Sequence, residues 1–263
     1  MSHFKGRNWA IILGGSRGLG LATARRLSEE GYALCIVHRD RRADLEEIQK
    51  GFLEVEKKAP AFCSFNADAV NPEKRKEILA QLKSNFKEGD KVKVLVHSIA
   101  KGSLKPMVSN DQEALSAEDI EITFKAMALS LYEWVQNLVS EKIIHEDMRV
   151  ISFTSEGNTR AMPGYAAVSV AKVALEALTR SIALEFAPLG IRANCIQAGV
   201  TETTSFGMIP NSEKIKEMAR KRNPSGRITT PEDVANVVSL LCREEAHWIN
   251  GSIVKADGGE SLR

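Results

Sequence analysis

Seven short apolar runs punctuate the chain, and between them apolar and charged residues recur at helical spacing. The runs at 9–13, 32–37, 61–66, 92–97, 149–154, 191–197 and 253–256 are short, largely apolar and rich in β-branched residues. That is the pattern of strands buried on both faces of a parallel sheet. The stretches 19–29, 44–58, 72–86, 116–141, 166–186 and 232–242 read as helices. One starts at a Ser116–Asp119 capping box, and Gly31 and Gly190 follow two of the ends. Strict alternation of strand and helix predicts an α/β fold, a Rossmann-like doubly wound parallel sheet of about seven strands flanked by helices. No repeat or linker divides the chain, so residues 1–263 read as a single domain, with 199–227 a variable lid segment within it.

Composition narrows the classes. A hydrophobic fraction of 43% suffices for a large core, and a net charge of +2 over 263 residues gives no sign of nucleic acid or of a membrane surface. No apolar run reaches the roughly 20 residues of a membrane span. Residues 1–8 lack the apolar centre of a secretory signal. Cys35, Cys63, Cys195 and Cys242 lie far apart without metal-ligand spacing, and His3, His145 and His247 add none. Four buried, reduced thiols, no metal and a soluble cytoplasmic protein are the expectation.

Chemistry concentrates at the strand ends. Gly14-Gly15-Ser16-Arg17-Gly18-Leu19-Gly20 lies at the first strand-to-helix turn, where glycines let the backbone approach a pyrophosphate at a helix N-terminus. After the second strand, an acidic residue would bind a ribose 2′-hydroxyl; here His38 and Arg39 stand in that place. Arg17 and Arg39 converging on a 2′-phosphate favour NADPH over NADH, with Asp40 a nearby opposing charge.

Tyr165 and Lys172 are seven positions apart at the start of the 166–186 helix, on one face about two turns apart. By itself this is a surface pair or a working one. In the working case the ammonium lowers the phenol pKa and makes Tyr165 a proton donor near neutral pH.

Together these residues resemble the short-chain dehydrogenase/reductase family over nearly the whole chain. The resemblance rests on Gly14-x3-Gly18-x-Gly20, Asp68 after the third strand, the Tyr/Lys helix, Ala198-Gly199-x3-Thr203 and Asp257-Gly258-Gly259. It implies Asp68 and Ala69 beside the adenine, and Gly199, Thr201 and Thr203 at the nicotinamide carboxamide and pyrophosphate. Most members place the catalytic Tyr four residues before the Lys, where this chain has Val168. The Tyr-x6-Lys spacing and the run His97-Ser98-Ile99-Ala100 instead resemble the enoyl-acyl carrier protein reductases, a divergent branch. The intact glycine turn, Ser155 and the Gly-Gly-Glu-Ser-Leu ending look most like its NADPH-using variant. The relay Asn of most members is absent; Lys125 and Met127 occupy that neighbourhood.

The resemblance implies an NADPH-dependent enoyl-thioester reductase of fatty-acid synthesis, with Tyr165, Lys172 and Ser155 catalytic and Ser98, Ile99 and Ala100 on the cofactor. In a trans-2-enoyl thioester, hydride adds to C3 while charge collects on the C1 oxygen, and a donor one helical turn further from the Lys matches that separation. A carbonyl reductase and a non-catalytic cofactor-binding homologue are the alternatives. Ser155 orients substrate or Tyr165, or merely caps a turn. Phe206, Met208 and Ile209 line an acyl channel or form lid core contacts. Lys214, Lys216, Arg220, Lys221 and Arg222 form either a docking patch for an acidic acyl carrier protein or a solvated helix face. His97 reads as a cofactor-loop residue. A homotetramer through the 116–141 and 166–187 helices is expected from the resemblance alone.

Overall fold

The apolar runs become β1 (Asn8–Leu13), β2 (Ala33–His38), β3 (Phe62–Asn66), β4 (Lys91–His97), β5 (Ile144–Ser155), β6 (Ile191–Ala198) and β7 (Ile253–Ala256). All pair in parallel in one sheet of order β3-β2-β1-β4-β5-β6-β7. The computed structural model describes residues 6–263; His3 and the beginning of the 1–8 segment lie outside them.

Side chains alternate between the two faces, so each central strand feeds two cores. Ile11, Leu13, Cys35, Val37, Leu95 and Val150 pack under α3 (Pro72–Ser84), α5 (Ser130–Ser140) and α6 (Ala166–Glu185), meeting Ile78, Trp134 and Leu175. Ile12, Leu34, Ile36, Val96 and Ile151 meet Leu27, Phe52 and Val238 from α1 (Gly18–Glu29), α2 (Leu45–Glu56) and α9 (Pro231–Cys242). Each fully buried Leu or Ile side chain contributes about 1.5–3 kcal/mol, which explains why these strands are apolar on both sides.

The chain passes from β1 outward to β3, then returns to the other side of β1 as β4. This reversal opens a crevice beyond the carboxyl ends of β1 and β4, where Leu13 and His97 stand in register.

Three expectations need correction. The 116–141 stretch is not one helix: α4 (Ala117–Phe124) and α5 are joined by a π turn at Lys125–Leu129. The extra residue per turn rotates the helix so that Thr123 and then Leu131 and Trp134 all face inward, and the Ser130 hydroxyl donates to the Ala126 carbonyl at 2.8 Å. Cys63 is only half-buried, because β3 is the sheet edge; Cys35, Cys195 and Cys242 are buried. Strand β5 begins five residues before the apolar run at 149–154, with Ile144 pairing Val92 ahead of a register shift. The 199–227 segment forms α7 (Thr204–Gly207) and α8 (Ser212–Arg222). Among the described residues, no helix is long and apolar enough to cross a membrane.

Candidate active site

The crevice holds 1140 Å³ and runs from the end of β2, past the glycine turn, to α7 and α8. Ligand pockets are commonly about 300–1,000 Å³, so this one has room for a dinucleotide and a substrate together. Gly14, Ser16, Arg17, Gly18, Leu19, His38, Arg39, Asp68, Ala69, Ser98, Ile99, Ala100, Ser155, Tyr165, Lys172, Gly199, Thr201 and Thr203 all line it. Gly20 does not; it lies beneath the turn, where a Cβ would meet the Gly14 carbonyl at 2.2 Å.

These walls fit a nicotinamide dinucleotide. Gly14 has φ +80°, and a Cβ there would strike the Ser98 carbonyl at 2.5 Å, so only glycine lets the β1 and β4 loops touch. Among the described residues no side chain caps α1, its N-cap is Arg17, and no acidic residue stands in its first turn. Its free N–H groups are therefore available to an anion. The adenosine end is less simple than two converging guanidinium groups. Arg17 lies 3.4 Å from both Asp40 and Asp44, and Arg39 donates to Asp68 at 2.7 Å. His38 is buried, edge-on to Phe52, with Nδ1 2.8 Å from Asp40. Arg41 also lines the crevice and was not singled out, because it lies three residues past the end of β2.

At the reaction end, Tyr165 is the N-cap residue of α6 and not a position within it (φ −110°, ψ 2°). Its hydroxyl stands 3.4 Å from Ser155 Oγ. Burial pushes the Tyr165 phenol up, with the Ser155 contact opposing it, so the expected lowering by Lys172 is not found. The reason is geometric: the Lys172 ammonium is turned to the Phe153 carbonyl, donating at 2.6 Å. Burial brings Lys172 down to about 8. Val168, the position usual for the family's Tyr, packs with Met127 and Ala171 instead.

His97 is a core residue, not a cofactor-loop one. It is buried at the end of β4, with Nε2 2.8 Å from Ser130 Oγ, and does not line the crevice. Burial, then the charge of Lys172, holds it down to about 3, so it is neutral at working pH. Met127 lines the crevice, whereas Lys125 is exposed. Phe206, Met208 and Ile209 line it together with Leu104, Met162, Ile215 and Met218. The basic run is not one face: Arg222 turns inward onto Glu156 and Glu260, and Lys216 pairs with Glu202 at 2.6 Å. Glu156 was missed, since nothing local marks it, and Glu260 was read only as part of the Gly-Gly-Glu-Ser-Leu ending. Among the described residues no group of His, Cys, Asp and Glu is placed to hold a metal ion.

The Ser155–Tyr165 spacing depends on the short 3-10 turn Glu156–Asn158. A Cβ on Gly157 would lie 2.4 Å from Tyr165 Cε1 and 3.0 Å from Met162 Cε. Gly157→Ala is therefore expected to displace the phenol and lower kcat by about 10- to 100-fold, the scale of a 1 Å misplacement, with cofactor affinity unchanged. Steady-state kinetics beside a fluorescence titration of the cofactor checks this; a kcat within twofold of wild type removes the constraint.

A family model described as "Enoyl-(Acyl carrier protein) reductase" matches residues 14–261. The chain is 28% identical over 264 residues to the uncharacterized oxidoreductase YjdA of Bacillus subtilis (strain 168), covering 98% of each. It is 28% identical over 256 residues to an NADPH-dependent aldehyde reductase-like chloroplastic protein of Arabidopsis thaliana, covering 95% of this chain and 93% of that one. With a 1-cyclohexenylcarbonyl-CoA reductase of Streptomyces collinus it shares 27% identity over 259 residues, 97% and 88% of the two chains. A solved short chain dehydrogenase from Burkholderia cenocepacia J2315 in complex with NADP aligns at a TM-score of 0.81 and 25% identity over 97% and 98% of the chains. With its glycine turn, Tyr/Lys pair and seven-stranded sheet in place, the chain belongs to the short-chain dehydrogenase/reductases, in the family whose model bears the enoyl reductase description.

Proposed function

We infer that the protein is an NADPH-dependent enoyl-thioester reductase acting in fatty-acid elongation. The observation that carries this reading is the hydroxyl facing the crevice. It comes from Tyr165, seven residues before Lys172 and beside Ser155, while Val168 offers no proton. A bound nicotinamide supplies the hydride that C3 of a trans-2-enoyl chain accepts. The chain's own residues do the rest. The Tyr165 hydroxyl donates to the thioester oxygen, where charge collects, and is most useful in a dry site where it need not reorganise. Lys172, fixed by the Phe153 carbonyl, binds the ribose and keeps a positive charge nearby. Leu104, Met127, Met162, Phe206, Met208 and Ile215 hold the acyl chain, and the 199–227 segment serves as its lid.

NADPH is supported by Arg17, Arg39 and Arg41 at the adenosine end and by the absence of a carboxylate at His38. A 2′-phosphate would compete with Asp40, Asp44 and Asp68 for these guanidinium groups. We place an acidic acyl carrier protein against Lys214, Arg220 and Lys221 on the outer side of α8. A homotetramer would cover Ile122, Val170 and Val173, which stand exposed on α4 and α6.

One observation favours a second reading. The Ser155 and Tyr165 hydroxyls, 3.4 Å apart, can both donate to one carbonyl oxygen, which suits a ketone or aldehyde. Incubation with crotonyl and acetoacetyl thioesters, each with NADPH and NADH, separates the two. The expected result is a kcat/KM for crotonyl thioester with NADPH at least about 100-fold above the other combinations. Faster reduction of the acetoacetyl thioester selects the carbonyl reductase, and tight cofactor binding without turnover selects a non-catalytic homologue.

A further inference from the structure

Helix α8 closes one side of the crevice through Ile215 and Met218, yet Ala219 is its only buried residue. Apolar packing therefore holds it weakly. Its last residue holds it differently. Arg222 donates through Nη1 to Glu156 Oε1 at 3.2 Å and through Nη2 to Glu156 Oε2 at 2.8 Å, a two-pronged pairing. Nη2 also donates to Glu260 Oε1 at 2.6 Å. Glu260 is 3% exposed, and its second oxygen accepts from the Val200 backbone at 3.0 Å. One guanidinium thus ties α8 to the turn that follows Ser155 and to the Glu260–Leu262 turn after β7, and through Glu260 to the loop that follows β6.

Glu156 is the link to the reacting hydroxyls. It directly follows Ser155, and its carbonyl accepts from the Thr159 and Arg160 backbones at 3.0 and 2.9 Å, which fixes the turn. The next residue, Gly157, abuts the Tyr165 ring. We propose that Arg222 is a positioning residue: by clasping Glu156 and Glu260 it sets the Ser155–Tyr165 pair when α8 lies closed over the substrate. Resting on the reductase reading, this adds a crevice-lining residue that acts on the reacting hydroxyls through Glu156.

The planar fork is essential to the idea. A lysine supplies one compact charge and cannot pair both oxygens of Glu156 while reaching Glu260. Arg222→Met leaves Glu260 buried without its cation, so it tests the clasp and also risks the fold. Arg222→Lys keeps the charge and decides the matter if the Met variant does not fold. For both variants and for Glu156→Gln, kcat and KM on crotonyl and acetoacetyl thioesters, cofactor affinity by fluorescence, and hydrogen–deuterium exchange across 155–165 are to be measured. The expected result is a kcat lowered about tenfold in Arg222→Lys and more in Arg222→Met, on whichever thioester the wild type prefers. Cofactor affinity should stay within twofold, and exchange should rise at 155–165 but not in α3. Glu156→Gln combined with Arg222→Lys should lose little beyond the larger single loss. Unchanged kcat in Arg222→Lys, or unchanged exchange at 155–165, overturns the proposal. The exchange readout needs no turnover, so it stands even if neither thioester is reduced and the reductase reading fails.

Discussion

Tyr165→Phe is expected to lower kcat for crotonyl thioester by about 100- to 1,000-fold, the scale of removing one preorganised donor from a developing oxyanion. KM and cofactor affinity should move little, because the hydroxyl matters most when charge reaches the thioester oxygen. The ring itself remains, still packed beside Val168 and Met127, so the substitution removes one oxygen without opening a cavity. Ser155 is the rival donor, 3.4 Å away. Ser155→Ala should cost about tenfold, as the loss of an orienting contact. If Ser155→Ala costs more than Tyr165→Phe, the donor is the serine and the enoyl reading loses its main support. Burial raises the Tyr165 pKa, so the phenol stays protonated through neutral pH and its activity should not decline on its own account before strongly alkaline pH.

The frame of this site is readable from residue order because it rests on local signals. Strands such as Ala33–His38, buried along their whole length, are apolar up to the terminal His38, and a glycine turn between strand and helix has few other uses. What residue order hides is long-range or subtle. The π turn at Lys125–Leu129 changes hydrogen bonding without breaking the apolar pattern, so 116–141 looks continuous. Arg222 stands in a run of cations that appears solvated until two carboxylates, 66 and 38 residues away, are brought to it. Arg39 likewise looks free until the β2 and β3 loops set Asp68 beside it. Tyr165 sits at the boundary of helix and loop, where its hydroxyl direction follows from Gly157 and Ser155, not from helical spacing.

Lys172 carries the largest trade between activity and stability. Its ordinary pKa of 10.5 falls to about 8, mainly because burial disfavours the ammonium. Below pH 8 the site holds a positive charge; above it the charge is lost, and kcat/KM should fall about tenfold per pH unit. Because Tyr165 is raised and His97 is neutral, this limb belongs to Lys172. Between pH 8 and 10.5 the unfolded chain holds the proton that the folded chain has released, so stability rises with pH across that window. The lowering corresponds to about 3 kcal/mol of cost, present in full below pH 8. Lys172→Met removes that cost but leaves the Phe153 carbonyl without its donor, an offset of about 1 kcal/mol. The variant should be inactive and about 1–2 kcal/mol more stable at pH 7, with the gain gone by pH 10.5. Urea unfolding at pH 7 and at pH 10, beside a pH–rate profile of the wild type, measures both halves. A variant that is less stable at pH 7, or a wild type whose rate is flat to pH 10, would show that Lys172 is not a charge held at the expense of folding.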